Sequence, residues 1–388
     1  FNELQIDFNL TANQIASLGT LVFYIYGILQ FFIGIWLDYF GTNIIFIVSG
    51  FLLGIGSMMF AFSNGIFSLY LSRVLVGFGA SVAYLTVVKK TEELFGSHLF
   101  SLMLGFACFI GYSGGLFATL PFERLVYAFG WRHAIAGLSW IFFILMLAIL
   151  TVFIKTNAFS RAKNRIVLSD IKTTLLNRQT YPLILIVTIN FSIYFLFQGI
   201  FGKKLLQDIC ITSSKLAASF TFVMMVITMF FVFLAGILTH IIRKRKPIIV
   251  ILCFCCLFSC VLMLANVLVW RSTGIFLFSF ILLAFAGGSA PLTITVMKES
   301  NPSNNLGTAV GFINGICYIG LAVIGNIAGS IMDRFSGGTL ITSTAIIYSV
   351  EAYRAVIIFC LFLGLISFLL SFLVKETGNT KRMYTTPQ

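Results

Sequence analysis

The sequence predicts an all-α protein that crosses a membrane many times, and three observations predict it. Hydrophobic residues make up 59% of the 388 and charged residues only 10%, too little polar side chain to cover a water-soluble surface of that size. The mean hydropathy is +1.04. The apolar residues also gather into runs of about 20, the length a helix rising about 1.5 Å per residue needs to cross the hydrocarbon layer. Eleven such runs can be read, at 15–36, 44–62, 66–88, 99–120, 134–154, 182–201, 216–238, 247–269, 273–297, 307–331 and 355–374.

Each run is defined by what it carries and what ends it. The first holds Tyr26 and Gln30, four residues apart and so on one helix face. It closes on Gly34-Ile-Trp-Leu-Asp38-Tyr-Phe-Gly41, at the inner end of the span. The third keeps a single cation, Arg73, inside "LYLSRVLVGFGAS" and ends at Lys89-Lys90. The fourth carries Tyr112 among Gly105, Gly111, Gly114 and Gly115. The fifth is entered through Phe129-Gly-Trp-Arg132 and closed by Lys155. Residues 155–181 are the one long polar interruption, with bases at 155, 161, 163, 165, 172 and 178 against one acid, Asp170. Beyond it the sixth run carries Asn190, Tyr194 and Gln198 at intervals of four, which predicts a shared face. The seventh ends in Gly236-Ile-Leu-Thr-His240 before the basic run Arg243-Lys-Arg-Lys246. The eighth holds Cys253, Cys255, Cys256 and Cys260, and the ninth ends at Lys298. The tenth spaces Asn314 and Tyr318 by four, and the eleventh precedes a short tail with Lys375, Lys381 and Arg382.

Orientation follows from the bases, because Lys and Arg in short loops stay on the cytoplasmic side. Placing 155–181 inside puts 16 bases on the inner side and 8 on the outer, with Arg73 in the membrane. The C-terminal tail is then cytoplasmic and residue 1 is outside. With an odd number of spans and no signal-like segment behind Phe1, the expectation is that a first spanning helix is missing here and that the full protein has twelve. The net charge of +13 is spread over the inner loops, so membrane lipids, not nucleic acid, are the expected counter-charge. The clustered cysteines have no His or carboxylate beside them and read as packing residues. No metal and no cofactor is expected.

The polar interruption divides the chain into an N-terminal bundle, 1–154, and a C-terminal bundle, 182–374, joined by 155–181 and followed by the tail 375–388. The halves repeat in parallel, as in some transporter folds. Gly105-Phe106 with Tyr112 and Gly114 has the spacing of Gly311-Phe312 with Tyr318 and Gly320. Thr86-Val-Val-Lys89 echoes Thr295-Val-Met-Lys298, and Gly34 to Asp38 echoes Gly236 to His240. Here the sequence resembles the major facilitator superfamily. Gly34-x-x-x-Asp38-x-x-Gly41 fits the skeleton of that family's signature between its second and third helices, and Arg73-x-x-x-Gly77-x-Gly79-Ala80 resembles its fourth-helix motif. Phe129-Gly-Trp-Arg132 and Leu306-Gly-Thr-Ala-Val-Gly-Phe-Ile-Asn314 are similar to segments of bacterial members. The resemblance covers the whole chain apart from the expected first helix. It implies two pseudo-symmetric six-helix bundles and a gating motif, Gly34, Asp38 and Gly41, in which Asp38 docks on a neighbouring helix N-terminus. Thr42 and Asn43 stand where the family has Arg or Lys, which weakens that gate, and Gly111-Tyr-Ser-Gly114-Gly115 only partly echoes the antiporter signature.

An arginine at mid-bilayer costs roughly 2.5–3.5 kcal/mol on the insertion scale. Arg73 lies about seven residues, or about 10 Å, inside the outer end of its span. Either its side chain snorkels to the outer headgroups, or it faces a water-filled cavity and binds an anionic group. No other charge lies away from a span end, so the cavity as read is net positive and suits an anionic or zwitterionic solute. Tyr26, Gln30, Tyr112, Asn190, Tyr194, Gln198, Asn314 and Tyr318 complete the candidate substrate-binding set. The competing reading is that these polar groups only hydrogen-bond helix to helix. Lys203 and Lys204 read as an interfacial anchor, and His98, His133 and His240 as isolated residues near span ends.

The reading that results is a secondary active transporter of a small organic anion or similar metabolite, working by alternating access. Proton-coupled uptake leads, and export of a drug or an anionic, siderophore-like metal chelator is the runner-up. No G-x-x-x-x-G-K-[ST] loop occurs, which points to an ion gradient as the energy source. An intramembrane hydrolase needs a convergent acid, His or metal set that the spans lack, so the protein is not expected to be an enzyme. The expected setting is the bacterial inner membrane, as a monomer.

Overall fold

A computed structural model of the chain describes residues 7–8, 12–118, 120–159, 177–178, 180–242, 244–300, 306–335, 340–341 and 346–377. Most of the predicted linker and the end of the tail lie outside these residues. The described chain is built from α1 (Ala12–Phe40), α2 (Thr42–Ala61), α3 (Ile66–Phe117), α4 (Leu120–Lys155), α5 (Thr180–Phe195), α6 (Gly202–Cys210), α7 (Ser214–Ile241), α8 (Lys246–Ala265), α9 (Thr273–Gly287), α10 (Ala290–Ser300), α11 (Leu306–Arg334) and α12 (Val350–Ser371).

All eleven predicted runs fall in helices. Nine helices among the described residues are long and apolar enough to span a membrane, and the apolar part of α1 is the shorter Leu21–Leu37. α3 accounts for two runs, 66–88 and 99–120, and breaks between them at Gly96, where φ is 63° and ψ is −178°. α4 breaks likewise at Gly130, φ 75° and ψ 155°. Positive φ with extended ψ is a region essentially confined to glycine, where a side chain costs about 1–3 kcal/mol, which is why glycine stands at both breaks. Two further irregularities are single π turns, Leu196–Ile200 after α5 and Asn266–Trp270 after α8. Their N–H groups bond five residues back, as in Phe201 N to Leu196 O at 2.7 Å. A departure from the all-α expectation is a two-residue antiparallel ladder, Leu340–Ile341 with Ile346–Ile347, between α11 and α12.

The chain forms two compact units, and each draws on both halves of the sequence. The first comprises Phe1–Leu94, Gly114–Leu175 and Ser303–Ile319. Its core includes Leu18, Phe60, Leu69 and Trp131, and the start of α11 crosses α1 so closely that a Cβ on Gly311 would lie 2.5 Å from the Gln30 carbonyl oxygen. The second comprises Phe95–Ser113, Leu176–Pro302 and Gly320–Gln388. Its core gathers Phe197, Phe276 and Phe280 with Cys256, Cys260 and Cys360. There the second arm of α3 crosses α7 at Gly105, where a Cβ would sit 2.9 Å from Gly236 Cα. Short glycine crossings of this kind bring helices together by van der Waals packing where lipid supplies no hydrophobic drive.

Candidate functional site

Within the first unit, three helices each turn one face toward a cavity of about 400 Å³. α2 contributes Leu53, Gly54, Ser57 and Phe60, α4 contributes Ile135, Leu138, Ser139 and Phe142 together with Phe122, and α3 contributes Arg73 and Val76. The steps of three and four residues are those of a single helical face. The Arg73 guanidinium lies over the Phe60 ring, 4.1 Å from its centroid. Among the described residues its Nε is buried without a hydrogen-bond partner.

The Phe129-Gly-Trp-Arg132 segment holds this arrangement in place. Arg132 Nη1 donates to the carbonyls of Ala61 and Ser63 at 3.0 and 2.8 Å, satisfying acceptors that the end of α2 leaves open. Trp131 packs edge-on against Phe60 at 5.7 Å and donates from Nε1 to Asp7 Oδ2 at 2.9 Å. Arg132 stacks over Trp131 at 4.4 Å. The ring under Arg73 is thus fixed from behind by residues of α4.

A second group of predicted residues meets in the same unit. Asn314 Nδ2 donates to the Tyr26 hydroxyl at 3.3 Å, and the Tyr26 and Tyr318 rings are 4.5 Å apart. Gln30 is fully buried; its Nε2 donates to the Ser81 carbonyl at 2.6 Å, while its Oε1 is buried without a partner among the described residues. Of the expected gating motif, Gly34 is buried in α1 and Gly41 separates α1 from α2 with φ 92°, a conformation that favours glycine. Asp38 lies in α1, but its side chain is outside the described residues. Asn43, which replaces the family's base, donates from Nδ2 to the Ala158 carbonyl at 2.7 Å and so ties the turn to the end of α4.

The family model of the Major Facilitator Superfamily matches residues 1–325. The chain belongs to that superfamily. Solved structures of the fold agree. A bacterial homologue of the iron transporter ferroportin in an outward-facing state superimposes with a TM-score of 0.72 at 13% identity, covering 96% of this chain and 92% of that one. The proton:xylose symporter XylE bound to 6-bromo-6-deoxy-D-glucose gives 0.68 at 17%, covering 98% and 92%. The human organic anion transporter MFSD10 (TETRAN) gives 0.67 at 14%, covering 93% and 86%. No curated protein matches the sequence.

The remaining candidate residues of this superfamily member lie in the second unit. The spacing of Asn190, Tyr194 and Gln198 predicted one shared face, and the structure draws them to different neighbours. Asn190 accepts from Ser367 Oγ at 2.8 Å and reaches Cys253 Sγ at 3.5 Å. Tyr194 packs its ring on Gly287 of α9. Gln198 reaches Met225 of α7 at 3.8 Å. The π turn at Leu196–Ile200 offsets Gln198 from the register of Asn190 and Tyr194, which both precede it in regular α5. Tyr112 lies half-buried on the second arm of α3.

Three features of the second unit go beyond the sequence reading. His98 and His240 are not isolated: their rings are 5.1 Å apart, and His240 Nδ1 lies 3.0 Å from the His98 carbonyl. Lys204 pairs with Asp208 at 2.6 Å, and Asp208 also accepts from the Tyr353 hydroxyl at 2.8 Å and the Tyr348 N–H at 3.1 Å. The step of four between Lys204 and Asp208 was the available signal. Arg245 is only 8% exposed. It binds both oxygens of Glu299, at 2.9 and 3.3 Å, and donates to the carbonyls of Thr239 and Ile242. Glu376 accepts from the Arg245 N–H at 2.6 Å.

Proposed function

We propose that this superfamily member is a secondary active transporter that takes up a small organic anion by alternating access, driven by a proton gradient. The observation that carries the reading is Arg73: a cation deep in an apolar span, on a cavity wall, with a buried nitrogen that lacks a partner among the described residues. Leaving such a group unsatisfied is expensive, and a solute carboxylate or phosphate would satisfy it with charge-assisted hydrogen bonds. Tyr26, Gln30, Asn314 and Tyr318 form a separate polar group in the same unit and do not line that cavity. In this reading the protein sits in the bacterial inner membrane as a monomer, C-terminus in the cytoplasm, with bundles 1–154 and 182–374 as the alternating parts.

Uptake into proteoliposomes with an imposed pH gradient tests the proposal, using labelled organic anions, neutral sugars and cationic dyes on wild type, Arg73→Ala and Arg73→Lys. Gradient-driven anion uptake that Arg73→Ala abolishes is the expected result. Movement of neutral or cationic compounds at an unchanged rate in Arg73→Ala would overturn it and favour the exporter.

A further inference from the structure

The second arm of α3 meets α7 through apolar contacts that end in a pair of imidazoles. We infer that His98 and His240 form a pH-sensitive latch, which holds the two helices together while it carries at most one proton and releases them when it takes a second. Deeper in the crossing nothing titrates: Gly105 lies against Gly236, and the rings of Phe106 and Phe109 pack 6.0 and 5.9 Å from that of Phe233. At its end the His98 and His240 rings stand edge to face, 5.1 Å apart and at 89°. His240 Nδ1 lies 3.0 Å from the His98 carbonyl; a carbonyl only accepts, so that nitrogen donates. His98 is exposed and His240 half-buried, so protons reach the pair from water.

The first proton suits this geometry. On His240 it sits in the last turn of α7, where the helix dipole favours a cation, and it strengthens the bond to the His98 carbonyl. The second has to go to His98, just after the break at Gly96, at the start of a helical arm where the dipole opposes a cation. It also sets two like charges against each other across the 5.1 Å between the rings. The surrounding groups do not offset this. Lys298 of α10 holds its ammonium 4.0 Å over the Phe100 ring, and Arg245 donates to the carbonyl of Thr239, next to His240. Glu299 is engaged by Arg245 and the Thr377 hydroxyl, and Glu376 by the N–H groups of Arg245 and Lys246. On α3 itself Lys89, Lys90, Glu92 and Glu93 stand before the break, with Glu93 paired to Lys90. Among the described residues neither imidazole meets a carboxylate. Separated rings therefore bind two protons more readily than the paired ones, so acid favours separation, around the pH of about 6.5 at which imidazole changes charge. If 1–154 and 182–374 are the alternating parts, as proposed above, release of the latch frees one bundle from the other; the latch itself does not depend on what Arg73 binds.

Labelling of Ser101→Cys with a water-soluble maleimide in detergent reads the contact, because Ser101 is buried and its carbonyl lies 2.6 Å from where a Cβ on Gly236 would sit. The parent protein, labelled in parallel, gives the background of the eight native cysteines. Rates are taken at about pH 7.5 and about pH 5.5, either side of the imidazole transition. Each is divided by the rate in His98→Gln/His240→Gln carrying the same cysteine, so that thiol reactivity cancels. Glutamine keeps an N–H donor and does not titrate. The ratio should be near one at the higher pH and rise to roughly four- to hundredfold at the lower, less in about 1 M salt. His133→Gln, outside the pair, should keep the full response. A ratio that stays at one at both pH values, or a response that His133→Gln removes, would overturn the latch. If the double variant does not fold, His98→Gln and His240→Gln are used singly, and an acid response undiminished in both would overturn it too. A normal acid response beside transport that ignores Arg73 would sink the anion reading and leave the latch standing; the reverse result would sink the latch alone.

Discussion

Arg245 and Arg73 carry the same charged group, and the surrounding chain answers it in two ways. Arg245, in the second unit, is met by both oxygens of Glu299 and by the carbonyls of Thr239 and Ile242. Arg73, in the first, has a ring beneath it, apolar walls around it and a buried Nε with no partner among the described residues. Burying a guanidinium costs energy in both places; Arg245 recovers it through an ion pair and hydrogen bonds, Arg73 in small part through Phe60. A satisfied arginine is a clamp between segments. Under the proposed function, the solute supplies the partner that the Nε of Arg73 lacks.

The comparison is broken most strongly on the Arg245 side. Arg245→Ala leaves Glu299 with the Thr377 hydroxyl as a remaining donor and removes the clamp on α8, so it should lower unfolding stability by about 3 kcal/mol, read by thermal or chemical unfolding in detergent. Asp208→Ala leaves Lys204, Tyr353 and the Tyr348 N–H without their common acceptor and should cost about 1.5–3 kcal/mol in the same assay. Gly311→Ala pushes a methyl group to 2.5 Å from the Gln30 carbonyl oxygen and should cost about 1–3 kcal/mol, whereas Gly325→Ala, which meets nothing within 4 Å, should be silent. Arg73→Met has the smallest expected effect of the charged sites. It gives up a cation–π contact of about 0.5–1 kcal/mol but also relieves an unpaired buried charge, so stability should stay within about 0.5 kcal/mol of wild type.

The spans were legible because a bilayer demands length and hydropathy, and both are local properties of the chain. The breaks at Gly96 and Gly130 sit where the apolar runs leave gaps, so they too had a local signal. The π turns did not. Asn190, Tyr194 and Gln198 look like a regular stripe, and the extra winding at Leu196–Ile200 takes Gln198 out of its register. Arg73 stood out by its cost in lipid, yet the walls around it come from α2 and α4, whose pairing no spacing reveals. The Arg245 clamp was equally hidden, since Glu299 lies 54 residues away and each charge alone reads as a solvated span end. Phe129-Gly-Trp-Arg132 was recognised as a motif, but its role in bracing Phe60 and closing the end of α2 needed the contacts of Trp131 and Arg132.

The measurement that bears most directly on Arg73 as a binding group is thermal unfolding of wild type, Arg73→Met and Arg245→Met side by side, without and with a saturating organic anion. Arg73→Met should unfold with wild type when no anion is present and lose the anion-induced stabilisation, while Arg245→Met should be destabilised from the start and keep that stabilisation. If Arg73→Met instead falls as far as Arg245→Met without ligand, or is stabilised by the anion as fully as wild type, Arg73 is a structural brace and not the site of binding.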